Sequence, residues 1–89
     1  SELTVAIEGR LDTLTAPELE EQLEDALDDV EKLIFDLAQL EYISSAGLRV
    51  LLSAYHAMED QGEMVIQHLT DSVREVFDVT GFSDAFCIE

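Results

Sequence analysis

Short apolar segments alternate with amphipathic helical segments along this chain of 89 residues, and this alternation limits the folds that it can form. Apolar residues at every second position, or in a short continuous run, are typical of strands, whereas spacings of three and four are typical of helices. Strands that alternate with helices favour a mostly parallel sheet with right-handed crossovers. Because the chain is too short for two domains, we expect a single domain over residues 1–89.

Four segments have the patterns of strands. Residues Leu3 to Glu8 alternate as in a half-buried strand, and Leu33 to Leu37 form the apolar run expected of a strand buried on both faces. A third strand is predicted over Met64 to Leu69, and a short final strand over Phe86 to Ile88. The predicted order is therefore β-α-β-α-β-α-β. We interpret it as an α/β fold with a single layer of mostly parallel sheet and helices mainly on one face.

Helix starts can be placed from capping residues. Thr15 is predicted to cap the first helix with its hydroxyl, and Glu18, three residues later, to complete a capping box. Leucines at four-residue spacings give that helix an apolar stripe, with acidic residues on its outer side. The second helix is predicted to begin near Ser44 or Ser45, and Thr70 is predicted to cap the third.

The charge of the chain excludes several functions. Asp and Glu total 21 against 4 Lys and Arg, so the formal net charge is −17. So few cations cannot form a surface for phosphate backbones, which argues against direct nucleic-acid binding, and an anionic membrane would repel the domain. No apolar run is long enough for membrane insertion. A single cysteine, Cys87, allows no internal disulfide and favours a cytoplasmic location, and the expected partner is a protein with a positive face.

The sequence contains no pattern typical of an enzyme, a metal site or a cofactor site. A serine hydrolase would need a base beside Ser44 or Ser45, but His56 lies about 16 Å further along the same predicted helix. His68, near a strand end, could approach the serines, although no Gly-x-Ser-x-Gly motif is present. Zinc, calcium and nucleotide motifs are also missing. We therefore expect no catalytic activity, no metal and no cofactor.

The segment from Leu37 to Leu48 joins a predicted strand to a predicted helix, and in parallel sheets functional sites form where strands end. Ser44, Ser45, Ala46 and Gly47 put small side chains at the helix N-terminus. Free N–H groups and the helix dipole favour an anion there, including a phosphate carried by a serine. The alternative is that one serine caps the helix and Gly47 permits close packing.

The wider pattern of the chain adds a family resemblance. The matching blocks keep their order and spacing over nearly the whole chain: Gly9-Arg10-Leu11-Asp12 with Thr15-Ala16, Leu33-Ile34-Phe35-Asp36-Leu37, Tyr42-Ile43-Ser44-Ser45-Ala46-Gly47-Leu48, Gly62-Glu63-Met64-Val65, and Val73-Arg74-Glu75-Val76-Phe77 with Gly81-Phe82. With these blocks the chain resembles the STAS domain family and, within it, the bacterial anti-sigma factor antagonists.

The resemblance implies a phosphorylation switch. In such antagonists an unphosphorylated serine at the start of the second helix lies in the surface that docks on an anti-sigma factor, which is usually also a serine kinase. Docking frees the sigma factor, phosphorylation ends the docking, and a phosphatase resets the switch. The matching serine here is Ser45, with Ser44 as the second choice. The residues that the resemblance implies for partner binding are Asp12, Ser44, Ser45, Ala46, Gly47 and Arg49.

The chain also departs from the family pattern. Members commonly carry Asp before the phosphorylated serine, whereas this chain has Ser44. This departure leaves an alternative open, in which the chain is a STAS scaffold subunit of a lipid-transporting ABC system or a regulatory domain of an anion transporter. The family usually has a strand before Leu3 to Glu8 and a helix after the last strand. Neither is predicted here, so we expect a shortened chain or a reduced member of the family.

Overall fold

The computed structural model describes residues 1–89, which form six strands and four helices. In chain order these are β1 (Glu2–Ala6), β2 (Gly9–Leu11), α1 (Ala16–Ala26), β3 (Lys32–Asp36), β4 (Leu40–Ile43), α2 (Ser45–Met58), β5 (Glu63–Gln67), α3 (Asp71–Thr80), α4 (Phe82–Ala85) and β6 (Cys87–Ile88). Strands β1, β3, β5 and β6 make one sheet in that order, and every neighbouring pair is parallel. The predicted α/β class with a mostly parallel sheet is confirmed.

The helices cover one face of the four-stranded sheet. Leu33 and Phe35 of β3 belong to the buried cluster that α1, α2 and α3 also enter, whereas Ile34, which lies between them, does not. Val65 of β5, the register partner of Ile34, is likewise outside this cluster. Since alternate residues of a strand point to opposite faces, the main core lies on a single side of the sheet. The prediction of helices mainly on one face is therefore confirmed.

The predicted element order was incomplete, because it lacked β2, β4 and α4. Strands β2 and β4 pair in parallel with each other and form a separate two-stranded sheet, so the strands do not make one continuous layer. Strand β2 has only three residues, and in β4 the buried Leu40 and Ile43 enclose the exposed Glu41 and Tyr42. Neither segment is long or regular enough to show the period of two that identifies a strand.

The β2–β4 pair fixes the position of the start of α2. The chain turns at Gly9, whose φ of 74° lies in the region that glycine adopts without strain. The Gly9 N–H donates to the carbonyl of Gln39 at 2.9 Å, which aligns β2 with the segment before β4. At the other end of the pair, the Ser44 N–H donates to the carbonyl of Leu11, also at 2.9 Å. The first turn of α2 is thereby attached to the loop that follows β2.

The predicted helix starts agree with the structure, but neither of the two threonines predicted as caps makes a capping hydrogen bond. Helix α2 begins at Ser45, and Thr70 is the residue before α3. The Thr70 hydroxyl makes no capping hydrogen bond; it donates instead to the carbonyl of Leu40 at 3.0 Å and so attaches α3 to β4. The longest helix, α2, has 14 residues, and none of the helices has both the length and the apolar character needed to cross a membrane.

Candidate functional site at the start of α2

The two adjacent serines at the start of α2 have different surroundings. Ser44 is the N-cap residue, with an extended backbone, and its side-chain oxygen accepts a hydrogen bond from the Gly47 N–H at 3.5 Å. Ser45 is the first helical residue; its side chain is exposed and its hydroxyl takes part in none of the side-chain hydrogen bonds of the chain. Ser44 is therefore committed to capping, and Ser45 presents a free hydroxyl to solvent.

Gly47 brings the first turn of α2 close to the β2–β4 pair. A Cβ atom at this position would lie 2.8 Å from the backbone oxygen of Leu11 and 2.8 Å from side-chain atoms of Leu11 and Ile43. Such distances are shorter than packed atoms allow, so only glycine fits here without a backbone shift. Because Gly47 is buried, it acts in packing, and we leave it out of the surface that could meet a partner.

Asp12 lies directly after β2, in the loop that faces the start of α2. Its Oδ1 accepts hydrogen bonds from the backbone N–H groups of Leu14 and Thr15, at 3.0 and 3.2 Å. Both hydrogen bonds favour the charged carboxylate, so they hold the pKa of Asp12 below its usual value of 3.8. The bond from the Thr15 N–H has the larger effect, and that from Leu14 the smaller. The site therefore carries a fixed negative charge at neutral pH.

The predicted capping box of the first helix is wrong. The Thr15 hydroxyl donates to the carbonyl of Arg10 at 2.9 Å and accepts from the Asp12 N–H at 2.8 Å, so it makes no helix cap. Glu18 makes no side-chain hydrogen bond with Thr15 either. The reason is the tight turn after β2, which folds Asp12 over the N-terminus of α1 so that its carboxylate receives the N–H groups.

Two residues of the site were missed at the sequence level. The β2–β4 register pairs Arg10 with Tyr42, and the guanidinium carbon of Arg10 lies 4.3 Å from the centre of the Tyr42 ring. Arg10 Nε also lies 3.5 Å from Asp12 Oδ2. This cation–π contact holds a 41% exposed aromatic ring beside the serines. The contact depends on a strand pairing that leaves no periodic signal in the sequence.

Leu14 is a further surface residue that the sequence did not single out. It lies in the Asp12 loop and is 83% exposed, more than any other large apolar side chain here. Its backbone N–H is held by the Asp12 carboxylate, so the exposed side chain projects from a fixed turn. The only feature of the sequence that could have identified Leu14 as a surface residue is that it lies outside the apolar stripe of the first helix.

Ala46 and Arg49 are the remaining residues that the sequence predicts for partner binding. A shallow pocket lined by Thr13, Ala46 and Arg49, among others, connects the Asp12 loop with α2. Arg49 is exposed, makes no ion pair within the chain and follows Ser45 by four residues, so both side chains lie on the same helical face. The structure thus brings Asp12, Ser44, Ser45, Ala46 and Arg49 to one surface.

The two histidines lie on the surface with acidic partners. His68 Nδ1 is 3.0 Å from Asp36 Oδ1, and His56 Nδ1 is 2.6 Å from Glu59 Oε1. The hydrogen bond from His68 lowers the pKa of Asp36 below its usual value. Neither histidine makes a hydrogen bond with a serine. The chain also brings together no group of three or more His, Cys, Asp or Glu side chains that could hold a metal ion.

Comparison with known proteins identifies the family. The STAS domain model matches residues 1–89, so the chain belongs to the STAS domain family. It is 42% identical over 86 residues to BtrV of Bordetella bronchiseptica, whose name assigns it to the anti-sigma factor antagonists; the match covers 94% of this chain and 74% of BtrV. The anti-sigma-B factor antagonist of Listeria monocytogenes is 33% identical over 86 residues, covering 92% of this chain and 74% of that protein.

The fold agrees with solved structures of the same class. An anti-sigma factor antagonist from Mycobacterium paratuberculosis superposes with a TM-score of 0.89 at 25% sequence identity, and covers 98% of this chain and 75% of that one. The unphosphorylated form of the antagonist SpoIIAA superposes with a TM-score of 0.86 at 18% identity, covering 100% and 80% of the two chains. The resemblance inferred from the sequence blocks is thus confirmed.

Proposed function

We propose that this chain is an anti-sigma factor antagonist whose unphosphorylated form docks on an anti-sigma factor, and that Ser45 is the residue whose phosphorylation ends the docking. The observation that carries the proposal is the free, exposed hydroxyl of Ser45 at the first position of α2. The names of the relatives at 42% and 33% identity support the antagonist function. The partner is a protein that supplies the kinase activity and its ATP.

The contrast between the two serines supports Ser45 over Ser44. A kinase needs access to the hydroxyl oxygen, and the Ser44 side chain is half-buried and oriented towards the Gly47 N–H. A phosphate on Ser44 would add bulk to a half-buried side chain whose backbone N–H is already bonded to Leu11, so the modification would fall at a packed junction. A phosphate on Ser45 displaces no hydrogen bond. Modification there leaves the fold intact and changes only the surface.

The electrostatics of the site explain how one phosphate ends docking. Phosphorylation adds about −1.5 to −2 charges at neutral pH. The helix N-terminus stabilises that charge, so α2 tolerates it. Arg49, one turn further along the helix and unpaired, can bind the phosphate and is then withdrawn from the partner. With the Asp12 carboxylate already nearby, the surface becomes strongly anionic at a point that the partner must approach closely.

The test compares the wild-type chain with Ser45→Asp and Ser45→Ala for binding to the partner recovered from the native lysate with ADP or ATP. We expect Ser45→Asp to weaken binding about 100-fold or more, because an added charge would be desolvated in the interface. Ser45→Ala should bind like the wild type and resist phosphorylation, which mass spectrometry of the kinase reaction measures. Ser72→Asp adds the same charge at the first turn of α3 and should leave binding unchanged; because it also removes the hydrogen bond from the Ser72 hydroxyl to the Glu41 carbonyl, its stability is measured alongside.

Two outcomes would contradict the proposal. Equal binding by the wild type and Ser45→Asp would remove Ser45 as the switch. Recovery of a transporter subunit in place of an anti-sigma factor would favour the scaffold function that the replacement of Asp by Ser44 leaves open. Circular dichroism of each variant shows that a change in binding does not arise from unfolding.

A further inference from the structure

A groove with an apolar floor runs between α1 and α2, away from the Ser45 site. Its floor consists of Leu23 of α1, of Leu27 directly after that helix, and of Val50 and Ala54 from α2. Because these four side chains belong to the core cluster, the floor of the groove is continuous with the hydrophobic core of the domain. Gln61 closes its far end, since Nε2 donates to the carbonyl of Leu27 at 2.6 Å and attaches the end of α1 to the segment after α2.

The groove is continuous with the proposed docking site. The pocket that contains Ala46 and Arg49 is also lined by Glu20 and Val50, and these two residues line the groove between the helices as well. A partner segment that contacts the start of α2 can therefore continue along the groove without leaving the surface of the domain.

One edge of the groove carries a row of negative charges. Glu20, Glu24 and Asp28 line it at successive four-residue intervals; Glu20 and Glu24 lie on one side of α1, and Asp28 lies in the turn that follows the helix. Along the helix, Glu20 and Glu24 are about 6 Å apart at 1.5 Å per residue. None of the three forms an ion pair within the chain. Like charges at this spacing in a helix repel one another, so the pair Glu20 and Glu24 weakens α1 in the free protein.

The opposite edge of the groove is small and neutral. Ser53 and Ala57 of α2 are both exposed along it, one turn apart. The side chains on this edge are short and uncharged, and the nearest cation of the same helical row is Arg49, one turn before Ser53. The groove is thus anionic on one edge, open on the other and apolar between them.

We propose that this groove binds an amphipathic helix of a protein partner that carries lysine or arginine at four-residue intervals beside a narrow apolar stripe. We infer the chemistry of the partner from charge complementarity. The unpaired acids match a cationic row of the same spacing, and the apolar floor matches the apolar stripe of the helix. The assignment of this helix to the anti-sigma factor rests on the proposed function. The groove would then supply a second contact that is distinct from the switch at Ser45.

The probe is a synthetic helical peptide of about 18 residues, with leucine and alanine on one face and lysine at three positions four residues apart. Fluorescence anisotropy measures its binding to the wild-type domain, and backbone amide shifts in NMR locate it. A peptide of the same composition in scrambled order controls for simple attraction to a chain of net charge −17. We expect shifts confined to α1 and α2 for the first peptide and no localised shifts for the second.

Two triple variants with the same change in charge decide whether the groove is the site. Glu20→Gln, Glu24→Gln and Asp28→Asn together should weaken peptide binding about tenfold. Glu18→Gln, Glu21→Gln and Asp25→Asn together, on the outer side of the same helix, should change it by about twofold or less. Ala57→Phe, which fills the groove without changing its charge, should also abolish localised binding.

Equal losses in the two triple variants, or full binding by Ala57→Phe, would overturn the proposal and leave only non-specific attraction. Thermal unfolding of each variant confirms that the helices remain in place. The peptide measurement needs no anti-sigma factor, so failure of the groove and failure of the Ser45 switch give separate results.

Discussion

Helices α1 and α2 begin at neighbouring points of the surface, but their N-termini are built differently. The N-terminus of α1 is closed by its own chain, since the Asp12 carboxylate accepts the backbone N–H groups of Leu14 and Thr15 in the turn directly before the helix. The N-terminus of α2 has only the neutral, 3.5 Å contact from Ser44 to the Gly47 N–H, and the next side chain, Ser45, points to solvent.

The difference shows how a helix start becomes a switch. Every helix N-terminus favours a negative charge, because its first N–H groups lack intrahelical partners. At α1 that charge is permanent, so the preference contributes to stability. At α2 no anion is built in, so a phosphate added to Ser45 can use the same preference without a competing carboxylate. The same physical property thus serves structure at one helix and, in our proposal, regulation at the other.

The largest effect on stability is expected for Gly47→Ala, which tests how closely α2 must approach β2. The added Cβ would lie 2.8 Å from a backbone oxygen, so the helix start must shift. We expect a net loss of about 1–2 kcal/mol, because overpacking costs more than alanine gains in helix propensity. Urea unfolding measures the change.

Ser45→Ala is the control for this variant, since it adds no atoms to the same helical turn and should stay within about 0.5 kcal/mol of the wild type. If Gly47→Ala is as stable as the wild type, the first turn of α2 is not packed tightly against Leu11. The conclusion that this packing fixes the position of Ser45 would then be wrong.

A smaller effect is expected for Asp12→Asn, which removes the built-in charge of α1. The hydrogen bonds from Thr15 and Leu14 lower the pKa of Asp12 below 3.8, so the folded state favours the carboxylate. The stabilisation is therefore present above the ordinary pKa and is lost as the pH falls through the lower, folded value. We expect the wild type to be the more stable at neutral pH, with a gap that closes in acid.

Unfolding experiments between about pH 2 and pH 7 measure that gap. Asp25→Asn, at an exposed aspartate of α1 whose side chain makes no such hydrogen bonds, is the control, and we expect its loss of stability at neutral pH to be smaller than that of Asp12→Asn. A gap between the wild type and Asp12→Asn that does not change with pH would show that the charge of Asp12 has no part in closing the helix.

The smallest effect is expected for Ser44→Ala, which removes the weak cap of α2. The single, long hydrogen bond to the Gly47 N–H puts the expected loss at about 0.5 kcal/mol, the lower end of the range for N-caps. Ser44→Asp should instead stabilise the helix, because a carboxylate satisfies the same N–H and interacts with the dipole. If Ser44→Ala loses much more stability than Asp12→Asn, the start of α2 is the more strongly capped of the two, which would contradict the comparison made above.

Much of the fold could be predicted, because long periodic segments identify themselves. The strands around Leu33 and Met64, the starts of α2 and α3 and the parallel sheet all followed from apolar spacing and from helix-start residues. The short strands β2 and β4 could not be predicted, since three or four residues with no alternation resemble a loop. The predicted capping box of α1 was wrong because the prediction rested on Thr15 and Glu18 alone. It did not include the turn that brings Asp12 over the start of the helix.

By itself, the sequence determined the α/β class, the acidic character and the position of the two serines at the start of a helix. These properties depend on local spacing and on total charge, which any arrangement of the chain retains. Only the tertiary structure decided which serine is free, which residues surround it and that an acid-lined groove continues from the site. Those features depend on contacts such as Ser44 with Leu11 and Arg10 with Tyr42, between residues about 30 positions apart that meet only when β2 pairs with β4.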